Sequence, residues 1–361
     1  MVNEILPLDG PFVWDKRSRP GLDQFVHAVA PACSDEAWKA VEQVKARGLQ
    51  RQQIGRSDFA LPAFEGVLRR IRDELERGSG FAVLRGLSID GRDEDDVRTL
   101  FWGLCTHLGI PLSQSRNGEF LGEVRDIGVK KGQADSRAYR TGGELRFHMD
   151  RCDVLGLLCV RDALSGGLSK AVSSAAVHNE VLRRRPDLMP VLYDHYHFSR
   201  QSEHLEGERP WFSGPIYALE QGRFTSQFSL TYVESAQRYP DVPRLTSQQE
   251  EAIRLVAAVA EELCTSFRME PGDIQLLNNH LMYHSRTNYQ DHEQFEKKRF
   301  LLRIWLATPD SRRLPAERAE AWGSVEPGAL RGGVQPPAGP RFAFADWAAA
   351  GWSREALTLH D

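Results

Sequence analysis

The chain has 361 residues, of which 41% are hydrophobic and 27% charged, with a formal net charge of −4. Such a balance describes an ordinary globular protein with one large domain or two small ones, and it leaves no electrostatic footprint for nucleic acid. No apolar run approaches the ~18 residues that a membrane helix needs, and Met1 to Asp15 lacks a basic start followed by an apolar core. Cys33, Cys105, Cys152, Cys159 and Cys264 are scattered without a C-x-x-C pair, which suits reduced thiols in a cytoplasm and argues against a zinc–cysteine site.

Residues 1–60 show weak periodicity and read as an N-terminal extension. From Leu61 to Leu75 apolar residues recur at helical spacing, with Gly78 at the expected end. Gly80 to Leu84 then reads as a buried strand. A second helix follows, with Asp93 to Asp96 in its first turn, where carboxylates complement the helix dipole. Between about 145 and 175 short strands alternate with glycines: Leu157 to Val160 is one and Lys170 to Ala175 another. Val177 to Arg185 reads as a short helix closed by Pro186, and Arg183-Arg184-Arg185 as its solvated end. A hairpin with Gly222 in the turn and Arg223 to Leu230 as the return strand is expected within 210–232. Ser247-Gln248-Gln249-Glu250 forms a capping box before the stripe Ile253, Val256, Ala260 and Leu263. Asp273 to Leu277 and Arg299 to Leu306 complete the strands. Residues 310–361 are rich in Pro, Gly and Ala and read as a tail packed on the same domain. Many short strands with flanking helices predict a mainly β, α+β fold built on a jelly roll over 61–309.

Three places carry chemistry. His148 and Asp150 stand two apart, so in a strand they project from one face, with Met149 on the other. Two histidines and one carboxylate on one side of a metal leave the opposite positions open, as non-haem Fe(II) oxygenases require. For the third ligand the sequence offers both His280 and His284, and His195 with His197 is a competing pair. In Arg299 to Leu306, Phe300, Leu302, Ile304 and Leu306 form one face and Arg299, Leu301, Arg303 and Trp305 the other. Two arginines on an inner face are costly unless anions meet them, and a dicarboxylate suits a guanidinium fork.

These segments resemble the taurine dioxygenase (TauD/TfdA) and clavaminate synthase-like Fe(II)/2-oxoglutarate oxygenases. The matching motifs are His148-x-Asp150, then Gly166-Gly167-Leu168-Ser169, then Gly272-Asp273 through Asn279 to His284-Ser285-Arg286, and Arg299 with Arg303. Four motifs in the right order, from about Gly80 to Leu306, carry the likeness; the two ends lie outside it. The resemblance implies a double-stranded β-helix (jelly-roll) core, with Fe(II) on His148, Asp150 and His284. It implies 2-oxoglutarate as cosubstrate on Arg299 and Ser169, and Arg303 facing the primary substrate. The activity it implies is hydroxylation of a small-molecule substrate, coupled to conversion of 2-oxoglutarate and O2 to succinate and CO2. Halogenating relatives lack the carboxylate of the triad, so Asp150 favours hydroxylation, with desaturation or ring closure as lesser outcomes. Ala171 stands where some sulfonate-using members carry an aromatic residue, which counts against taurine. The rival readings are an inactive jelly-roll protein that binds a small acid and a zinc hydrolase with the same ligands. Neither nucleic acid nor membrane is an expected partner, and a homo-oligomer is compatible with the sequence.

Overall fold

In a computed structural model describing residues 5–127, 143–353 and 357, the alternation at the end of the sequence pattern becomes a strand buried along its whole length. In chain order the strands begin with β1 (Val26–Ala28), β2 (Phe81–Arg85), β3 (Ile110–Pro111), β4 (Leu121–Val124), β5 (Leu145–His148) and β6 (Val154–Arg161). Next come β7 (Ser165–Gly166), β8 (Ser169–Ser173), β9 (His195–Ser199), β10 (Trp211–Pro215), β11 (Tyr217–Glu220) and β12 (Arg223–Ser226). The last are β13 (Thr265–Phe267), β14 (Ile274–Asn278), β15 (Met282–Arg286), β16 (Tyr289–Gln290) and β17 (Phe300–Ala307). The α-helices are α1 (Pro31–Ala46), α2 (Glu65–Arg77), α3 (Glu94–Thr106), α4 (Ser174–Arg184), α5 (Met189–Leu192), α6 (Leu230–Ala236), α7 (Ser247–Leu263) and α8 (Ala319–Trp322).

A seven-stranded sheet runs β1-β2-β14-β6-β17-β3, with β4 also paired to β17, and a four-stranded sheet runs β13-β8-β15-β5. The large sheet is apolar on both faces because both are covered. Phe300, Leu302, Ile304 and Leu306 of β17 join Ala82 and Leu84 of β2 in a core shared with α1, α2 and α3. Leu301 and Trp305, with Phe81 and Val83, enter a second core shared with Val172 and Tyr283 of the smaller sheet. This sandwich of unequal sheets is the jelly roll with flanking helices that the strand pattern predicts.

Several elements differ from the sequence reading. Within the expected extension, α1 buries Ala37, Trp38, Val41 and Val44, and β1 pairs in parallel with β2. Its stripe is mostly small residues, so the apolar period is faint in sequence. The hairpin β11–β12 turns at Gly222, but its return strand stops at Ser226, and Leu230 opens α6 behind the cap Ser229. Thr246 with Gln249, one residue earlier than expected, makes the capping box of α7. Arg184 and Arg185 pair with Glu262, Asp187 and Glu251, as a solvated helix end should. The five cysteines are buried and free. Among the described residues no helix is long and apolar enough to cross a membrane. The ends of the expected extension and tail, residues 1–4 and 354–361 apart from 357, lie outside the described residues.

Candidate metal centre

β15 lies between β5 and β8, and its register sets His284 directly opposite His148. Facing positions on adjacent strands bring side chains together, and the two imidazole centroids are 4.2 Å apart. The strand β5 ends at His148, so Asp150 sits just beyond it rather than within a continuing strand. What holds Asp150 on the same side is its surroundings. Its backbone N–H donates to Asn279 Oδ1 at 3.0 Å, and the preceding Met149 N–H donates to the Phe228 carbonyl at 3.0 Å. Asp150 Oδ1 then lies 3.9 Å from His148 Nε2, and Oδ2 lies 3.9 Å from His284 Nε2. These donor atoms are all within 4.8 Å of one another, and no other such cluster of three occurs among the described residues. Two imidazoles and one carboxylate gathered this closely on one side could serve a single cation and would leave its opposite positions open.

The protonation states fit a metal. His148 Nδ1–H donates to the Arg146 carbonyl at 2.9 Å, which leaves Nε2 as the ligand atom. Burial, with His148 alongside, pushes the His284 pKa down to about 3, so its imidazole is neutral. Burial pulls the Asp150 carboxyl upward, but Arg303, the two histidines and the Trp305 indole outweigh it and hold the pKa below the usual carboxylate value. Trp305 Nε1–H donates to Asp150 Oδ2 at 3.0 Å. His284 as a neutral imidazole and Asp150 as a carboxylate are therefore in the forms that bind a divalent ion.

His280 is excluded by geometry. Its Nε2–H donates to Asp153 Oδ1 at 2.8 Å, its ring packs 4.8 Å from Trp322, and it is fully buried away from the triad. His195 and His197 lie in β9, with His197 against Trp211, and neither joins the cluster.

Beside the triad is a pocket with about 480 Å³ of empty space, mouth included, lined by His148, His284, Ser169, Arg286, Arg299 and Arg303 among others. Arg299 is only 3% exposed, and its Nε and Nη1 have no hydrogen-bond partner among the described residues. Burial pushes its pKa down, the expected result for a cation taken from water without an anion. Gly167 has φ +67°, and a Cβ there would stand 3.2 Å from Arg299 Nε, so the glycine turn makes room for the guanidinium. Arg303 is differently placed. Its Nε donates to Gln114 Oε1 at 2.7 Å, and its Nη1 lies 4.0 Å from Asp150 Oδ2.

The sequence reading gave no role to Asn279, Trp305, Gln114 or Arg286. Asn279 and Arg286 sit in the motif ending at His284, and Trp305 shares the face of Arg303, so their positions carried a signal. Gln114 carried none, because its contact is made across 189 residues.

Residues 45–305 match the family model described as "Taurine catabolism dioxygenase TauD, TfdA family". FR-33289 synthase of Streptomyces rubellomurinus is 27% identical over 330 residues, covering 88% of this chain and 95% of that protein. The taurine hydroxylase-like protein SAT17 of Stachybotrys chartarum is 26% identical over 308 residues, covering 82% and 79%. Among solved structures, an asparagine oxygenase in complex with Fe(II), 2S,3S-3-hydroxyasparagine and succinate superposes with TM-score 0.64 at 16% identity, covering 81% of this chain and 98% of that one. The non-heme iron oxygenase OrfP in complex with Fe and alpha-ketoglutaric acid gives 0.60 at 15%, covering 84% and 99%; both likenesses concern the fold. The match over most of the chain, together with an intact His–Asp–His cluster, leads to one conclusion: the chain belongs to the TauD/TfdA family and is an Fe(II)- and 2-oxoglutarate-dependent dioxygenase.

Proposed function

We propose that this enzyme hydroxylates a small anionic or amino-acid-like substrate with release of succinate and CO2. His148, Asp150 and His284 hold the iron, Arg299 and Ser169 hold the distal carboxylate of 2-oxoglutarate, and Arg303 braces the pocket at the substrate side of Asp150. Bound iron and 2-oxoglutarate supply the oxidising chemistry. The protein's share is orientation and exclusion of water: Asn279 accepts from the Asp150 backbone N–H, Trp305 donates to its carboxylate, and the inner faces of the two sheets would enclose the cosubstrate.

The observation that carries this reading is one pocket lined by both histidines of the cluster and by the buried Arg299, whose Nε and Nη1 have no hydrogen-bond partner among the described residues. A vestigial site would have no reason to keep a buried cation with unpartnered N–H groups beside an intact ligand set. An amino-acid-like substrate is favoured because solved structures of similar fold contain hydroxylated asparagine and arginine. Segments 5–60 and 310–353 pack against the jelly roll over 61–309, and we read all three as one domain. The test is a panel of amino acids, small carboxylates and sulfonates, assayed for O2 consumption coupled to succinate in the presence of Fe(II). Substrate-dependent succinate is expected. Stoichiometric binding of a small acid with no succinate from 2-oxoglutarate would favour the inactive binding protein instead.

A further inference from the structure

Arg151 follows the ligand Asp150 directly, yet its side chain leaves the metal cluster for a different neighbourhood. Its guanidinium carbon lies 5.9 Å from the centroid of the Phe212 ring, and that of Arg200 lies 5.3 Å from the same centroid. Phe212 stacks on Phe198 with centroids 5.3 Å apart and planes at 12°, so β9 and β10 supply a flat apolar wall. The Nε atoms of both arginines are shut off from solvent without a hydrogen-bond partner. Arg200 has one carboxylate, Glu320, at 3.5 Å, which it shares with Arg209 at 2.8 Å. The Arg151 side chain makes no hydrogen bond or ion pair among the described residues. Both side chains remain partly exposed, so a molecule from solution can reach them.

Two cations gathered at one ring, with no carboxylate in an ion pair with Arg151 and only a shared one with Arg200 among the described residues, cost free energy that the ring returns only in part. The backbone adds to that cost. Gln201 and Ser202 follow Arg200 with φ of 49° and 66°, a left-handed pair that non-glycine residues rarely adopt. The bend is held by Gln201 N–H donating to Ser199 Oγ at 3.1 Å and by Arg116 N–H donating to Glu203 Oε2 at 2.6 Å. Residues 114–116 thus fasten the Arg200 loop while Gln114 occupies Arg303. Strain of this kind persists where a ligand clamp is built.

From this we infer that Arg151, assisted by Arg200, is the recognition site for an oxyanion head group on the primary substrate, with the Phe212 ring as its apolar floor. The inference rests on the proposed function and sharpens it: the substrate is a small acid whose charged end is held one arginine's length from the iron ligand Asp150. Arg303, engaged by Gln114 and facing Asp150, is then a positioning residue rather than the main anion receptor. A guanidinium fork accepts carboxylate, sulfonate or phosphonate oxygens, so the head group is the variable to test.

Four probes that share an aminoethyl chain serve for this: β-alanine, taurine and 2-aminoethylphosphonate, with anionic head groups, and β-alaninamide, whose head group is uncharged. Each is titrated anaerobically into the protein loaded with Fe(II) and 2-oxoglutarate, with the visible absorption of the complex as readout. Wild type should bind its best charged probe at least about ten-fold more tightly than the amide, as a charge-assisted fork allows. Arg151→Leu should bring that ratio close to one and Arg200→Gln should lower it several-fold. Arg151→Lys, which keeps charge without the fork, should fall between and covers the case in which the leucine variant fails to fold. A wild type that prefers no charged probe, or the same preference in Arg151→Leu and Arg200→Gln, overturns the inference. Wild-type turnover of a neutral substrate would overturn it alone, whereas failure to form succinate with any compound defeats the proposed function beneath it.

Discussion

Replacing Arg299 by leucine separates a buried structural arginine from a cosubstrate receptor. In the free protein Arg299 is 3% exposed, with Nε and Nη1 unpartnered. Each buried polar group left unsatisfied costs about 1–3 kcal/mol. Leucine removes that cost and loses part of the packing of a longer side chain, so the free variant should be as stable as wild type or more so. Binding is a different matter. Truncating one side of a buried, charge-assisted pair costs about 2–5 kcal/mol, a loss of about thirty-fold or more at 1.4 kcal/mol per decade. The assay is anaerobic titration of the Fe(II) protein with 2-oxoglutarate, run beside thermal unfolding with and without the cosubstrate. At a hundred times its Kd a ligand adds about 2.7 kcal/mol to stability; wild type should show that gain and Arg299→Leu no more than about 1 kcal/mol at the same concentration. Arg303→Ala should keep most of its affinity for 2-oxoglutarate and lose coupled turnover. If Arg303→Ala loses cosubstrate binding while Arg299→Leu keeps it, the two roles are exchanged and the reasoning is wrong.

Alanine at His148, Asp150 or His284 should each abolish tight Fe(II) binding by equilibrium dialysis, whereas His280→Ala should bind iron and lose about 1–3 kcal/mol of stability by removing one of the donors to Asp153 Oδ1; metal retained by His284→Ala would overturn the assignment. Trp305→Phe removes the indole donor at 3.0 Å from Asp150 Oδ2 and should weaken Fe(II) affinity by about ten-fold, as loss of an outer hydrogen bond to a ligand does. Burial holds the His178 pKa at about 4, below its ordinary 6.5, so the unfolded chain takes up the extra proton between those values. That contribution is complete above pH 6.5 and is lost as pH falls toward 4, and a His178→Gln variant should show a flatter decline of Tm over this window. With Asp150 in place the product should carry oxygen or a new double bond, and mass spectrometry of turnover in chloride buffer should find no chlorinated species.

Where burial is two-sided and the period clear, the fold was legible. β17 alternates an apolar face toward the helices with a mixed face toward the pocket, and both β2 and α3 follow their sequence patterns closely. α1 was not legible because alanine, cysteine and serine make up much of its buried face and give little periodic contrast. The return strand after Gly222 was overread because residues up to Leu230 remain apolar or β-prone while Ser229 caps a helix. The strand assumed for His148-Met149-Asp150 was half right: His148 ends β5, and Asp150 is aimed by Asn279 instead of by the pleat. The two candidate histidines of one segment could not be separated by local sequence, since what disqualifies His280 is Asp153, brought to it by the fold.

The C-terminal segment shows why composition misleads about such a site. Its Pro, Gly and Ala content reads as a surface tail, and the family match ends at residue 305, before it begins. Yet Arg331 is fully buried, and its Nε–H donates to Asp153 Oδ1 at 2.9 Å, where His280 also donates. Gly333 N–H donates to the Arg151 carbonyl at 2.7 Å. At Gly332, φ +78°, a Cβ would meet that same carbonyl at 2.6 Å, so the glycine is there to let one backbone approach another. Asp153 also accepts from the Thr308 N–H through Oδ2, and its carbonyl accepts from the Asn279 N–H, the residue that orients Asp150. The stretch from Asp150 to Asp153 is therefore clamped from both sides: by β14 and its following turn through Asn279, and by the C-terminal segment through Arg331 and Gly333. The proposed metal ligand Asp150 and the proposed anion receptor Arg151 are neighbours in this one clamped stretch, so displacement of the C-terminal segment should disturb both at once.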